Sequence, residues 1–359
     1  MIRIRRGSVL KIISYRSELT EVLVDINGNE QKAINYNHLT GTVKIGDQVI
    51  LNTTAVYKNL GTGGTHFIMA NMSSPEHDID EAGHIMKLRY TPNQVKVLAV
   101  EEQESPYSKM LKNIKSLNQT PVIIGTLHSM LPVAAATAHQ YTEGKAKIVY
   151  IMTDGAALPI ALSKIVNELK EKKLLSATVT CGHAFGGDYE TVNIYTALLA
   201  AKGVANADII IVTMGPGIVG TGTEFGFTGV EQGEIINAVN ILSGKPVAIP
   251  RISFADPRER HRGISHHTLT ALGKIALSSS LVCIPKLNSD LDMIIQKQLV
   301  DSGIKQKHVI KTIDSSSTSA ILKHYGLKVK TMGRGIEDDP AFFLACGAAG
   351  IGAAEMISF

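Results

Sequence analysis

Tryptophan is absent from this chain and aromatic residues make up only 5% of it. That scarcity counts against a single-strand nucleic-acid binder, which needs rings for bases to stack on. Cysteine is nearly absent too: Cys181, Cys283 and Cys346 are an odd number in apolar or strand-like surroundings, so no disulfide framework is expected and a reducing cytoplasm fits. Charge is modest, with 19% charged residues and a formal net charge of +4, too little to imply a polyanionic partner. A basic cluster at Arg3, Arg5, Arg6, Lys11 and Arg16 keeps a nucleic-acid role as a reading to be tested. No stretch supplies the roughly twenty uncharged apolar residues of a spanning helix. The nearest, AFFLACGAAGIGAA, is soon followed by Glu355 and reads as a buried helix; the start interleaves Arg with Ile and is no signal peptide. No membrane partner is expected.

What is present is a 359-residue chain, 44% hydrophobic, with 32 glycines. That length favours two domains. Residues 1–82 read as an all-β barrel: apolar and polar residues alternate in Ile2–Arg5 and Thr20–Asp25, and turns fall at Asn27-Gly28 and Gly46-Asp47. The polar run Ser73–Gly83 reads as a linker that continues through 83–89. From 90 to 359 strand, loop and helix repeat. The strands QVKVLAV, PVIIGTL, KIVYIMT, SATVTC, ADIIIVTM, PVAIPRI, SLVCIPKL and HVIKTI are mostly unbroken apolar runs, as in strands buried on both faces. The expected fold is therefore α/β, a Rossmann-like doubly wound and mostly parallel sheet, preceded by a small β-barrel. Helix C-termini are expected at Gly144, Gly203, Gly244, Gly303 and Gly326, in the left-handed cap conformation. A helix opened by Ser105-Pro106 is expected to carry Tyr107, Met110, Leu111, Ile114 and Leu117 on one face.

In such a sheet the ligand lies beyond the carboxyl ends of the strands. There the sequence places His128, Asp154, Cys181 with His183, Asp188, a glycine loop, an Arg/His loop, Lys286 and Asp314. Capping of the following helix accounts for Asp154, Asp188 and Asp314, and Cys181 reads as a small hydrophobe before it reads as a nucleophile. The glycine loop holds Gly215, Gly217, Gly220, Thr221, Gly222 and Thr223. Its G-x-G-x-x-G lacks the helix that a dinucleotide site opens within the glycines, and no acidic residue follows at the required distance; bare N–H groups and hydroxyls suited to anion oxygens remain.

The Arg/His loop holds Asp256, Arg258, Arg260, His261, Arg262, His266 and His267. Three alternating arginines need neutralising, either by Asp256 and Glu259 or by a bound anion. Ser265 is the expected N-cap of a helix Thr268–Ser278, and its positive end is expected to keep His266 and His267 neutral. Neighbouring residues on a helix diverge by about 100°, so only one of the two is expected to face a ligand. His261, His266 and Asp256 are the candidate catalytic groups. Arg258, Arg260, Arg262, His267, Asp154, His183 and the glycine loop are the candidate ligand-binding set. A metal site dispersed over His128, His183, Asp188, His261 and His266 is chemically feasible, with no ligand spacing to support it.

The runs TDGAALPIALS, CGHAFGGDYETVN, MGPGIVGTGT and RISFADPRERHRGISHHT resemble those of a family of bacterial proteins catalogued only as a domain of unknown function. The resemblance spans nearly the whole chain and implies a bacterial, cytoplasmic, two-domain protein; no activity, cofactor or catalytic residue comes with it. The reading from residues alone is an enzyme acting on a small anionic, phosphorylated or nucleotide-like metabolite. A non-catalytic sensor of such a ligand is the second reading, and a nucleic-acid module built on Arg3, Arg5 and Arg6 the third. Cofactor identity and homo-oligomerisation are left open.

Overall fold

The computed structural model describes residues 1–61, 63–78, 82–156 and 158–358. Its contacts divide the chain into two compact units: Met1–Ala82 with Leu88–Lys96, and Gly83–Lys87 with Val97–Phe359. Residues 79–81 of the expected linker lie outside the described residues.

In the first unit the strands Ile4–Tyr15, Leu19–Ile26, Asn29–Tyr36, Thr65–Asn71 and Gln48–Asn52 close, in that spatial order, into a barrel. The alternation seen in the sequence places Val9, Val22, Val24, Ala33, Val49, Leu51 and Ile68 in its interior. Asn27 and Gly28, with φ of 55° and 80°, make the tight turn that pairs Leu19–Ile26 with Asn29–Tyr36.

The second unit is built on eight parallel strands. Their spatial order is Tyr189–Glu190, Ala177–Thr180, Ile148–Thr153, Ile209–Met214, Pro121–Ile124, Lys245–Ala248, Leu281–Pro285 and Val309–Ile313. Unbroken apolar runs form these strands because both faces are covered. Ile123 points into a core with the helices Leu131–Tyr141 and Pro340–Ala354, while Val122 and Ile124 point into a core with Ile194–Gly203 and Glu231–Ile241. The C-terminal helix is buried almost throughout. No helix among the described residues is long and apolar enough to cross a membrane.

The chain leaves Pro121–Ile124 toward one edge of this sheet and leaves its neighbour Ile209–Met214 toward the other. The crevice between their carboxyl ends is the topological switch point, and the glycine loop starts there. Gln232, fully buried, fixes that end of the sheet by donating its amide to the carbonyls of Ile124 at 2.8 Å and Ile249 at 3.0 Å.

Several local expectations are corrected. Gly144, Gly303 and Gly326 have positive φ, but at the end of Glu231–Ile241 it is Ser243 that does, with φ 56°, and Gly203 is still helical. Gly203 and Gly244 are required for close approach instead: a Cβ on either would collide with Ile114 or Leu117. The helix expected from Ser105 is only Ser108–Asn113, with the Ser105 hydroxyl accepting from Tyr107 N–H in the turn before it. The helix after Ser265 is α from His266 to Thr270 and a π-turn from Ala271 to Ile275. Asp154, Asp188 and Asp314 do not cap helices: they accept from His183 N–H, from Thr178 and Lys170, and from Ser316 N–H.

A histidine cluster at the carboxyl edge of the sheet

The Arg/His loop leaves Lys245–Ala248 and is tied at its neck by the antiparallel pairs Ile252 with Ile264 and Ser253 with Gly263. Gln298 clamps the return limb, accepting from Ile264 N–H at 2.7 Å and donating to the Arg262 carbonyl at 3.0 Å. Inside the loop the wholly buried Asp256 carboxylate accepts from Arg251 Nη2 at 3.1 Å and from Arg258 Nε and Nη2 at 2.9 and 2.8 Å. The Arg258 hydrogen bonds hold this carboxyl far below the usual carboxylate range. Arg334 and Asp339 extend the network, Arg334 Nε donating to Asp339 at 3.2 Å and Ser253 Oγ donating to the same carboxylate at 2.7 Å. Asp256 is thus committed to guanidinium groups. Arg260 and Arg262 are exposed.

Against this network stand three imidazoles. His261 and His267 are buried and His266 is half-buried, with ring centroids 5.0, 5.1 and 4.2 Å apart for 261–266, 261–267 and 266–267. One nitrogen from each lies within 4.8 Å of the other two. The expected divergence of His266 and His267 does not occur, because an imidazole reaches well beyond its Cβ and the two rings lean toward each other across the first helical turn. His261 is brought over the same helix end by Ser265. That hydroxyl caps the helix by accepting from His267 N–H and lies 2.7 Å from His261 Nδ1.

The neutrality expected of these histidines has another cause than the helix end. Burial is the main effect in each case, pushing His261 down to about 4 and His267 down to about 3, with the Arg251 guanidinium lowering both further. His266 is lowered by burial and then by Arg260. His266 Nε2 and both ring nitrogens of His267 are buried without a hydrogen-bond partner. A neutral imidazole always carries one N–H, so an unmatched donor and acceptor on His267 would together cost several kcal/mol.

The glycine loop supplies the facing wall. Phe227 stacks on His267 with centroids 4.1 Å apart and planes 9° from parallel. A Cβ on Gly220 would lie 2.9 Å from His267 Cε1, so only glycine lets the loop approach this closely. Thr221 and Thr223 turn their hydroxyls onto each other and onto Gly226. Gly215 packs near Met152, and Gly217, with φ 117°, near Ala156. Beyond His266 opens a pocket of about 420 Å³ lined by Gly222, Glu224, Leu269, Thr270, Lys274 and Asp301.

Of the dispersed metal set, the structure brings together His261 and His266 and engages His128 and Asp188 elsewhere. His128 is consumed in the core by Tyr150 and Ser163, 3.2 and 2.7 Å away, with burial pushing it down to about 4. Asp188 is bound to Lys170 and Thr178. Cys181 is buried with its thiol pushed up to about 12, which suits a small hydrophobe. Asp154 and His183 form a separate group at neighbouring strand ends. That group contains a residue the sequence reading missed. Glu231 opens the helix Glu231–Ile241, and its carboxyl, held by the Thr153 hydroxyl at 2.9 Å, is pushed up to about 7 by burial. A Glu in a first helical turn reads as a solvated dipole partner, which hid it. Arg251, Arg334 and Asp339 were missed as well: the first looks like part of a strand, and the others lie far along the chain.

Fold and site define an α/β protein of the doubly wound kind, preceded in the chain by a small closed barrel and carrying clustered histidines, two of them buried, at the carboxyl edge of its sheet. The family model described as "Protein of unknown function (DUF3866)" matches residues 32–350, and the chain belongs to that family. No curated protein matches it.

Proposed function

We propose that this protein is an enzyme acting on a small anionic substrate, held where the glycine loop meets the Arg/His loop. The observation that carries the reading is the pocket into which His266 opens, bounded by Gly222 and Glu224 from one loop and by Thr270 and Lys274 from the helix after the other. His266 and His261 are held neutral near pH 7, which leaves each ring a lone pair for a proton or a metal. Asp256 is a positioning group that fixes Arg251 and Arg258. Arg260 and Arg262, exposed and flanking His261, supply guanidinium forks for a phosphate or carboxylate. The three buried free cysteines suit a cytoplasmic setting.

The test is calorimetric titration with a panel of phosphorylated and carboxylated metabolites, followed by turnover assays on whichever binds. Arg260→Ala is expected to weaken binding about tenfold, roughly 1.4 kcal/mol, and His266→Ala to abolish turnover while affinity persists. If no anion binds, or if Arg260→Ala leaves affinity untouched, the reading fails. Binding without turnover in the native protein would establish the sensor instead. Affinity for oligonucleotides falling steeply with salt, and lost on replacing Arg3, Arg5 and Arg6, would establish the nucleic-acid module.

A further inference from the structure

We propose that His261, His266 and His267 bind one divalent metal ion of the zinc class, each through one ring nitrogen, with the remaining coordination position directed toward the pocket beside His266. Three neutral imidazoles with an open fourth position are a recurrent donor set for catalytic zinc. Imidazole is also the ligand type that selects this class of metal over calcium or magnesium.

Three independent features support the site. The first is convergence: the three ligand atoms lie within 4.8 Å of one another. Tetrahedral zinc with nitrogens at 2.0–2.1 Å needs them roughly 3.4 Å apart, a closure within reach of small ring rotations. The second is the lack of a hydrogen-bond partner for ring nitrogens of two of the three histidines. His267 is 4% exposed, and neither of its ring nitrogens has a hydrogen-bond partner, nor does His266 Nε2. A bound cation would take lone pairs that nothing else takes. The third is the outer shell: when His261 donates Nδ1–H to Ser265 Oγ, its Nε2 presents a lone pair, the usual arrangement of a metal-bound histidine.

The surroundings also determine what completes the site. The single Asp256 carboxylate offsets only one of the two charges of Arg251 and Arg258, and the Arg260 guanidinium adds its own to a dication on neutral ligands. An anionic oxygen is the ligand such a centre favours in its fourth position. Metal binding stands by itself; an imidazole that holds the metal through one ring nitrogen keeps N–H on the other, so with metal bound His261 and His266 are ligands in place of the proton acceptors of the enzyme reading above, and only the metal's part in turnover rests on that reading.

A second cluster, His84 with Glu102 and Glu104, also brings three ligand atoms together. Its Glu102 is already matched, accepting from the backbone N–H groups of His84 and Ala99, and it is the natural competitor in any test.

The full chain, stripped with a chelator, is titrated with Co²⁺ alone and then with Zn²⁺. One equivalent of Co²⁺ is expected, with the visible bands of a four-coordinate site, displaced by Zn²⁺. His261→Ala and His266→Ala should each weaken uptake at least about 100-fold, beyond the usual loss from an outer-shell partner, while His84→Ala leaves it unchanged. Zinc X-ray absorption on the native chain needs no variant and should report three imidazoles. The proposal is overturned by absence of saturable uptake in the micromolar range, by a carboxylate-rich shell, or by uptake that His84→Ala removes and His266→Ala does not. If metal binds as expected and no anion or turnover is found, the enzyme reading falls and the metal site stands.

Discussion

Two buried polar groups in the α/β unit behave in opposite ways. Lys87, 1% exposed at its side chain, donates to Glu190 Oε2 at 2.5 Å and to the carbonyls of Ala184 and Thr180 at 2.6 and 3.4 Å. Three donors meet three acceptors, and Glu190 also receives the Thr180 hydroxyl and Gly186 N–H. The histidine cluster, with His261 and His267 buried and His266 half-buried, is largely unmatched. Among the described residues nine buried side-chain polar atoms have no hydrogen-bond partner, and three of them belong to His266 and His267. Burial without partners is expensive, so a closed network reads as architecture and an open one as a site awaiting its ligand.

The largest effect should come from breaking the closed network. Lys87→Ala leaves Glu190 as an uncompensated buried charge, and a loss of about 3–5 kcal/mol in denaturant unfolding is expected. Lys87→Met with Glu190→Gln should recover part of it. Neither change should alter Co²⁺ stoichiometry in whatever fraction folds. A Lys87→Ala protein of native stability would show that a matched network is no sign of architecture.

Glu231 sits between the two extremes, with one hydroxyl for a half-buried carboxyl. Its folded-state value of about 7 lies above the unfolded 4.5, so the native state holds the proton more tightly. Stability from this group is fully present below about pH 4.5 and is lost as pH rises through 7. Glu231→Gln should flatten that dependence. Above pH 8 it should be the more stable protein by up to about 3 kcal/mol, the worth of a shift of this size. Parallel pH profiles of wild type and variant would sink the idea that this carboxyl is buried at the cost of its charge.

Seven of the sheet's eight strands and their parallel direction, though not their order, could be read from the chain because parallel strands covered on both faces must be continuous apolar runs; QVKVLAV forms only Val95–Val97, outside that sheet, and the two-residue strand Tyr189–Glu190 is too short to leave a pattern. His261 and His266 could be picked out because arginines and histidines crowded into ADPRERHRGISHH have no packing role. Their convergence could not be read, since it depends on the Ser265 hydroxyl touching His261 while capping the helix of the other two. The partners of Asp256 were half legible: Arg258 is two residues away, but Arg334, itself held by Asp339, arrives through a loop far along the chain. Gly220 also makes a close approach to His267, a role visible only once Phe227 and the ring are in place.

The smallest effect, and the sharpest separation of the two kinds of network, is expected from Ser265→Ala. As an N-cap its loss should cost about 1 kcal/mol, a small shift in the unfolding midpoint that any capping residue would give. As the outer partner of His261 it fixes the ring, and its removal should lower Co²⁺ affinity by about 10–100-fold. Ser265→Thr keeps an oxygen at the cap and should restore both properties, whereas Ser265→Gly should recover most of the cap, costing only a few tenths of a kcal/mol, and none of the affinity. If alanine and glycine lower affinity only in proportion to stability, Ser265 is a cap and nothing more, and His261 is oriented by the packing of the loop.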